Sequence, residues 1–178
     1  MDNIMILVSG VPGAGKSTFA QWLADRLKLP VVRYDRLVRK VRELAPDAAS
    51  GGDLAYELFL FELEEHMDAA FITDYIFSVK QEGWLEQTAK AHGCKVINVH
   101  FDCSPETAYA RYTQRNARET GVKIRPDVTL EVYIQATAQN RDFLWGDHLI
   151  RVDAEDFSRL SYEEIWRELA PLLGLETE

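Results

Sequence analysis

Near the start of the chain, the run Gly10-Val11-Pro12-Gly13-Ala14-Gly15-Lys16-Ser17-Thr18 limits the possible folds more than any other segment. It matches G-x-x-x-x-G-K-[ST], a loop pattern that cradles phosphates. Ahead of it, Ile4-Met5-Ile6-Leu7-Val8 reads as a buried strand. After it, Phe19, Trp22, Leu23 and Leu27 fall on one face of a helix. A buried strand that feeds a glycine loop and then a helix begins a layered α/β domain.

The residue types in the loop suit a triphosphate. Glycines let the backbone turn its N–H groups inward and come close to a dense negative charge. Pro12, Gly13, Ala14 and Gly15 form the cradle, and the helix that starts near Gly15 aims its positive end at the phosphates. Lys16 supplies a cation that can follow charge from the β- to the γ-phosphate, Ser17 a hydroxyl ligand for Mg²⁺, and Thr18 a further contact. A glycine turn with no ligand is the plainer alternative, and the flanking strand and helix speak against it.

The chain of 178 residues is 47% hydrophobic, enough for one domain with a single large core. No apolar run reaches the ~18 residues of a membrane span, and Met1-Asp2-Asn3 lacks the basic start of a signal peptide. Cys94 and Cys103 flank an expected strand and read as structural thiols of a cytoplasmic protein. A formal net charge of −9 disfavours an extended nucleic-acid surface, though it leaves room for gripping one phosphorylated end.

Further strands are expected at Val31–Tyr34, Ala69–Thr73, Lys95–Phe101 and His148–Val152. Helices are expected over Arg36–Leu44, from a cap at Asp53 to about Met67, over Val79–His92, and from Ser104-Pro105 to about Asn116. Two more run from Asp127 to about Trp145 and from a capping box at Ser161-x-x-Glu164. In the Asp53 helix, Leu54, Leu58 and Phe61 share a face. Five short apolar strands alternating with helices imply a parallel sheet covered on both sides, with ligands beyond the strands' carboxyl ends.

Those ends carry Gly10, Asp35, Asp74, Asp102 and Asp153. Asp35 suits a general base that takes the proton of an acceptor hydroxyl as it attacks the γ-phosphate; a turn aspartate paired with Arg33 or Arg36 is the plainer reading. Asp74 suits orienting Mg²⁺ through a water or touching the acceptor, against a plain helix cap. Asp102 reads as serving the turn before Ser104, and Asp153 as close to a base.

Two basic clusters interrupt the acidic background. Around Asp35 stand Arg33, Arg36, Arg39, Lys40 and Arg42, which would suit an anionic acceptor or simply face water. Arg111, Arg115 and Arg118 fall on one helical face and lead into a polar segment of about 118–127 that would serve as an arginine-rich lid. His66, His92, His100 and His148 share no spacing and read as structural, and Tyr56, Phe59, Phe61, Trp84 and Trp145 as core.

Val8-Ser9-Gly10 through Thr18, then Asp35, Asp74 and Arg111-x-x-x-Arg115 ahead of a polar segment, resembles the P-loop kinase superfamily over most of the chain. Within it, the chain is similar to the group that includes the kinase domain of polynucleotide kinase, chloramphenicol phosphotransferase and zeta-toxin-like kinases. The resemblance implies a three-layer fold with strand order 2-3-1-4-5, ATP with Mg²⁺, and an acid at Asp35 acting as base. It further implies Arg111 on the adenine side and Arg115 on the phosphates. One departure stands out. Polynucleotide kinases place an acceptor-phosphate arginine three residues after that acid, where this chain has Val38 between Arg36 and Arg39.

The expected function is transfer of the γ-phosphate of ATP to a hydroxyl of a small polar acceptor, with Lys16, Asp35 and Arg115 catalytic and Asp35, Arg36, Arg39 and Asp74 on the acceptor side. Two alternatives stand beside it: a polynucleotide 5′-hydroxyl kinase, and a nucleotide-driven ATPase or switch without an acceptor.

Overall fold

The computed structural model describes residues 3–47, 51–118 and 128–176, with side chains omitted at 116–118. The strands are β1 (Ile4–Gly10), β2 (Val31–Arg33), β3 (Ala70–Asp74), β4 (Lys95–Asp102) and β5 (His148–Asp153). All pair in parallel, in the order β2-β3-β1-β4-β5. This is the order that the family resemblance implies. Every residue of β1 is buried, because it lies between β3 and β4 and has helices on both faces. That explains its unbroken apolar run, where a one-faced strand would alternate.

The helices are α1 (Lys16–Leu27), α2 (Tyr34–Leu44), α3 (Gly51–His66), α4 (Glu82–Ala91), α5 (Pro105–Arg118), α6 (Leu130–Arg141) and α7 (Tyr162–Leu172). Successive β1 side chains point to opposite layers. Ile4, Ile6 and Val8 meet Phe19, Ala20 and Leu23 of α1 and Ile165, Trp166 and Leu169 of α7. Met5 and Leu7 meet Phe59 and Leu63 of α3, Leu85 of α4, and Phe71, Phe77 and Phe143. Burial of a side chain such as Phe19 or Phe59 contributes about 1.5–3 kcal/mol. On this second side the Tyr75 ring packs on Tyr34 at 5.0 Å, Phe59 at 4.8 Å and Phe77 at 5.1 Å between centroids. No described helix is long and apolar enough to cross a membrane.

Several elements differ from the sequence expectation. β2 ends at Arg33 and α2 begins at Tyr34, so Asp35 sits in the first turn of a helix rather than at a strand end. There its carboxylate also favours the helix N-terminus. α3 starts at Gly51, ahead of Asp53. Its buried face is Ala55, Phe59 and Leu63, whereas Leu54, Leu58 and Phe61 are 46%, 38% and 58% exposed. The helix carries two apolar stripes, and its position over the sheet decides which one is buried. Phe61 is therefore not core.

The segment expected as one helix from Val79 is a 3-10 turn, Val79–Gln81, followed by α4. α6 begins at Leu130, where the Thr129 hydroxyl accepts from Val132 N at 3.3 Å, and it ends at Arg141 rather than near Trp145. Asp127 lies outside the described residues. The Ser161 cap stands, with its hydroxyl accepting from Glu164 N at 3.3 Å.

Candidate active site

The phosphate loop leaves β1 at Gly10 and enters α1 at Lys16. Gly13 has φ 93°, and a Cβ there would land on the backbone oxygen of Ala108 in α5. Gly15 has φ 96° and caps α1; a Cβ there would come within 3.0 Å of the Phe157 ring. Both glycines are thus required by backbone sign and by close neighbours. Tyr133 of α6 braces the loop by donating its hydroxyl to the Pro12 carbonyl. Ala14 is buried, whereas Ser17 and Thr18 open α1 with exposed side chains.

Lys16 is 6% exposed, and its Nζ donates to Val11 O at 2.9 Å. Burial pushes its ammonium below the ordinary lysine range. The negative charges of Asp74 and Asp35 oppose that shift, and the positive charge of Arg115 adds to it. In the sheet, Asp74 pairs with Val8 of β1, just ahead of the loop, and with Arg33, two residues ahead of Asp35, so Lys16, Asp74 and Asp35 gather at the carboxyl end of the strands, and the charge of Arg115 reaches Lys16 from α5. Asp74, at the end of β3, is 9% exposed. Asp35 and Arg115 are exposed. Among the described residues neither forms an ion pair within 4 Å, so the expected alternative pairing of Asp35 with Arg33 or Arg36 is not made. Arg33 instead donates to Gln21 Oε1 at 3.2 Å, beside Ser17.

Arg111 reaches from α5 to the loop after β5. It donates to Ala154 O at 2.6 Å and Glu155 O at 2.7 Å, and its guanidinium carbon lies 3.6 Å from the Phe157 ring centroid. Gly15, Thr18, Phe157, Leu160 and Tyr162 line a recess beside this stack. Phe157 is a site-side residue that sequence reasoning missed, because an aromatic in a polar loop carries no periodic signal. Glu155 was missed too: it accepts from Ser104 N at 2.6 Å and Ser104 Oγ at 2.8 Å, and so fixes the turn assigned beforehand to Asp102. Arg36 and Arg39 are exposed on α2. Arg118 ends α5, its side chain lies outside the described residues, and so does the lid segment beyond it.

A buried polar row lies behind the loop. Ser9 Oγ is 2.6 Å from Asn98 Oδ1 and 2.7 Å from His100 Nδ1. His100 Nε2 lies 3.4 Å from Asp102 Oδ1, and Arg151 Nε donates to Asp102 Oδ2 at 2.8 Å. Two other histidines are held structurally, as expected: His66 Nδ1 lies 2.7 Å from Glu62 O, and His92 Nδ1 2.8 Å from Asp68 Oδ1. Cys94 and Cys103 are free thiols.

A family model described as an AAA domain matches residues 5–139, a span from β1 through most of α6. The chain belongs to the AAA domain family. A cytidylate kinase of Alkaliphilus oremlandii is 24% identical over 152 residues, which cover 79% of this chain and 68% of that protein. As an AAA-family chain it superposes on a proposed kinase from Chloroflexus aurantiacus with TM-score 0.74, 18% identity and coverage of 95% and 97% of the two chains. A shikimate kinase from Bacteroides thetaiotaomicron gives TM-score 0.62 at 18% identity, covering 97% of this chain and 99% of that one. The fold of this AAA-family chain is thus that of the P-loop kinases.

Proposed function

We propose that the protein is an ATP-dependent kinase that transfers the γ-phosphate of ATP to a hydroxyl of a small polar acceptor. The observation that carries this reading is the sheet register, which sets Asp74 beside Val8 just ahead of the loop and beside Arg33 just ahead of Asp35, so that two carboxylates stand at the end of the sheet where Lys16 lies. A nucleotide switch needs the loop but has no acceptor hydroxyl to deprotonate, the role this reading gives to the exposed carboxylate of Asp35.

In this reading the N–H groups of Gly13 to Thr18 and the N-terminus of α1 hold the phosphates. Lys16 leaves the Val11 carbonyl for the β- and γ-phosphate oxygens. Asp35 accepts the acceptor's hydroxyl proton as its oxygen bonds to the γ-phosphorus and the bond to the β,γ-bridging oxygen breaks, releasing ADP. Arg115 lies against the charge that spreads over the transferring group. Arg111 and the recess at Phe157 take the base. Arg36 and Arg39 face the acceptor.

The donor set fits Mg²⁺. Ser17 offers an exposed hydroxyl and Asp74 a nearly buried carboxylate, both hard oxygen donors. When bound, the ion neutralises phosphate charge; Ser17 would ligate it and Asp74 would orient its water.

ADP release measured over a panel of acceptors tests the proposal. The panel holds sugars and sugar acids, shikimate, cytidylate and a 5′-hydroxyl oligonucleotide. Turnover with a small hydroxyl compound is expected. Label transferred to the phosphate of cytidylate would replace the hydroxyl reading with a phosphate acceptor, and efficient label on the oligonucleotide would replace it with the 5′-hydroxyl kinase.

A further inference from the structure

In the buried row behind the phosphate loop, the heavy atoms fix the protons. Asn98 Nδ2 donates to Trp145 O at 2.8 Å, so the amide oxygen is the end that meets Ser9. That oxygen can only accept, and the single Ser9 hydroxyl proton goes to it. His100 Nδ1, 2.7 Å from the same Ser9 oxygen, therefore carries a proton and donates it. The other ring nitrogen, Nε2, faces Asp102. A second proton there makes an imidazolium that joins the carboxylate. Without that proton, a lone pair opposes a carboxylate oxygen.

The elements around the ring contribute few charges. β1 brings Ser9 and β4 brings Asn98, both neutral. β4 also brings Asp102, β5 brings Arg151, and α1 brings Lys16. Burial holds His100 below the ordinary histidine range; Asp102 opposes this, while Arg151 and Lys16 reinforce it. Phosphates on the loop would neutralise Lys16 and so remove one of the charges that resist the second proton.

We infer that His100 is a positioning residue for the phosphate loop: protonated on both nitrogens, it ties Ser9 at the root of the loop to Asp102 at the end of β4, and anions held by the loop favour that state. The inference rests on the reading that the loop holds nucleotide phosphates. Linkage is reciprocal, so nucleotide binding takes up a proton and nucleotide affinity falls as pH rises through the His100 transition.

The test uses the full chain and ADP. His100→Asn places an amide N–H where Nδ1–H stood, keeps the bond to Ser9 and cannot titrate. Between about pH 5.5 and about pH 8, wild-type affinity should fall about three- to tenfold more than that of the variant, whose slope reports only the ligand's own titration. Calorimetry in two buffers of different ionisation enthalpy should show greater proton uptake in the wild type. Nitrogen-15 NMR of the wild type reads the ring directly, whatever the fate of the variant: Nδ1–H throughout, with Nε2 taking up its proton at a higher pH when ADP is bound. Equal pH slopes, or an Nε2–H neutral tautomer, would overturn the inference. If ADP does not bind the wild type, the proposed function fails, while the NMR tautomer still decides whether Ser9 is held as described.

Discussion

The guanidinium of Arg111 lies over the ring of Phe157, 3.6 Å from its centroid, while its nitrogens donate to Ala154 O and Glu155 O. A helix and the loop after the last strand are thereby joined beside Gly15. A planar cation held by two carbonyls and faced by an aromatic suits a nucleobase. Phe157→Ala should weaken ADP binding by about 1 kcal/mol, near fivefold, and leave inorganic tripolyphosphate binding unchanged. Parallel competition assays with the two ligands check it; an equal loss for both would place Phe157 with the phosphates instead.

Asp35 meets no cation within 4 Å among the described residues, yet its charge reaches Lys16. If it is the base, Asp35→Ala should lower phosphoryl transfer about 10²–10⁴-fold while ATP affinity stays within about twofold. Single-turnover transfer and equilibrium binding are the two measurements. Full transfer in the variant would remove the base assignment.

Arg115 adds positive charge near Lys16 and is itself exposed. A group that meets charge only as the phosphoryl moves should contribute to kcat more than to ground-state binding. Arg115→Ala is expected to cut kcat at least about 10²-fold with a small change in ADP affinity. A change confined to ADP affinity would make it an ordinary binding contact.

The two faces of α3 separate what pattern can tell from what only packing can. Phe59 is fully buried against Tyr75 and Phe77, and Phe61 is 58% exposed. Phe59→Ala should cost about 3–5 kcal/mol of stability and Phe61→Ala less than about 1 kcal/mol, read from denaturant midpoints at a common slope. Similar losses would mean that the Leu54–Phe61 face is covered in solution.

That contrast shows where the sequence was legible. β1, the loop and α1 were readable because an apolar run, glycines and a helical stripe coincide over a short stretch. Asp74 and Asp35 were readable as carboxylates where strands give way to loops or helices. The inward face of α3 was not, since two apolar stripes satisfy the same periodicity and the sheet selects one. Arg111 illustrates the opposite limit. Its spacing with Arg115 was visible, but its grip on the 154–155 carbonyls depends on residues more than forty positions away.

Cys103 sits near Lys16 and Arg111, where a reactive thiol would be expected, yet burial pushes it up to about 11. At about pH 8 it should therefore resist iodoacetamide in the folded protein and react quickly in denaturant. Mass-resolved labelling distinguishes it from Cys94, also raised to about 11. Cys103 is only half-buried, so rapid native labelling would show that the nearby positive charges of Arg111 and Lys16 outweigh burial.

Every residue of β1 is buried, between strands that are themselves flanked by others. Amides in such a strand exchange with solvent chiefly when the whole domain opens, whereas edge strands and helix ends open by smaller fluctuations. The phosphate loop is thus mounted on the segment that local fraying reaches last. Warming should loosen the recess at Phe157, which lies beyond the edge strand β5, before it disturbs the backbone of the loop itself, so a partly loosened molecule would keep a grip on inorganic tripolyphosphate after it had lost its preference for a nucleotide.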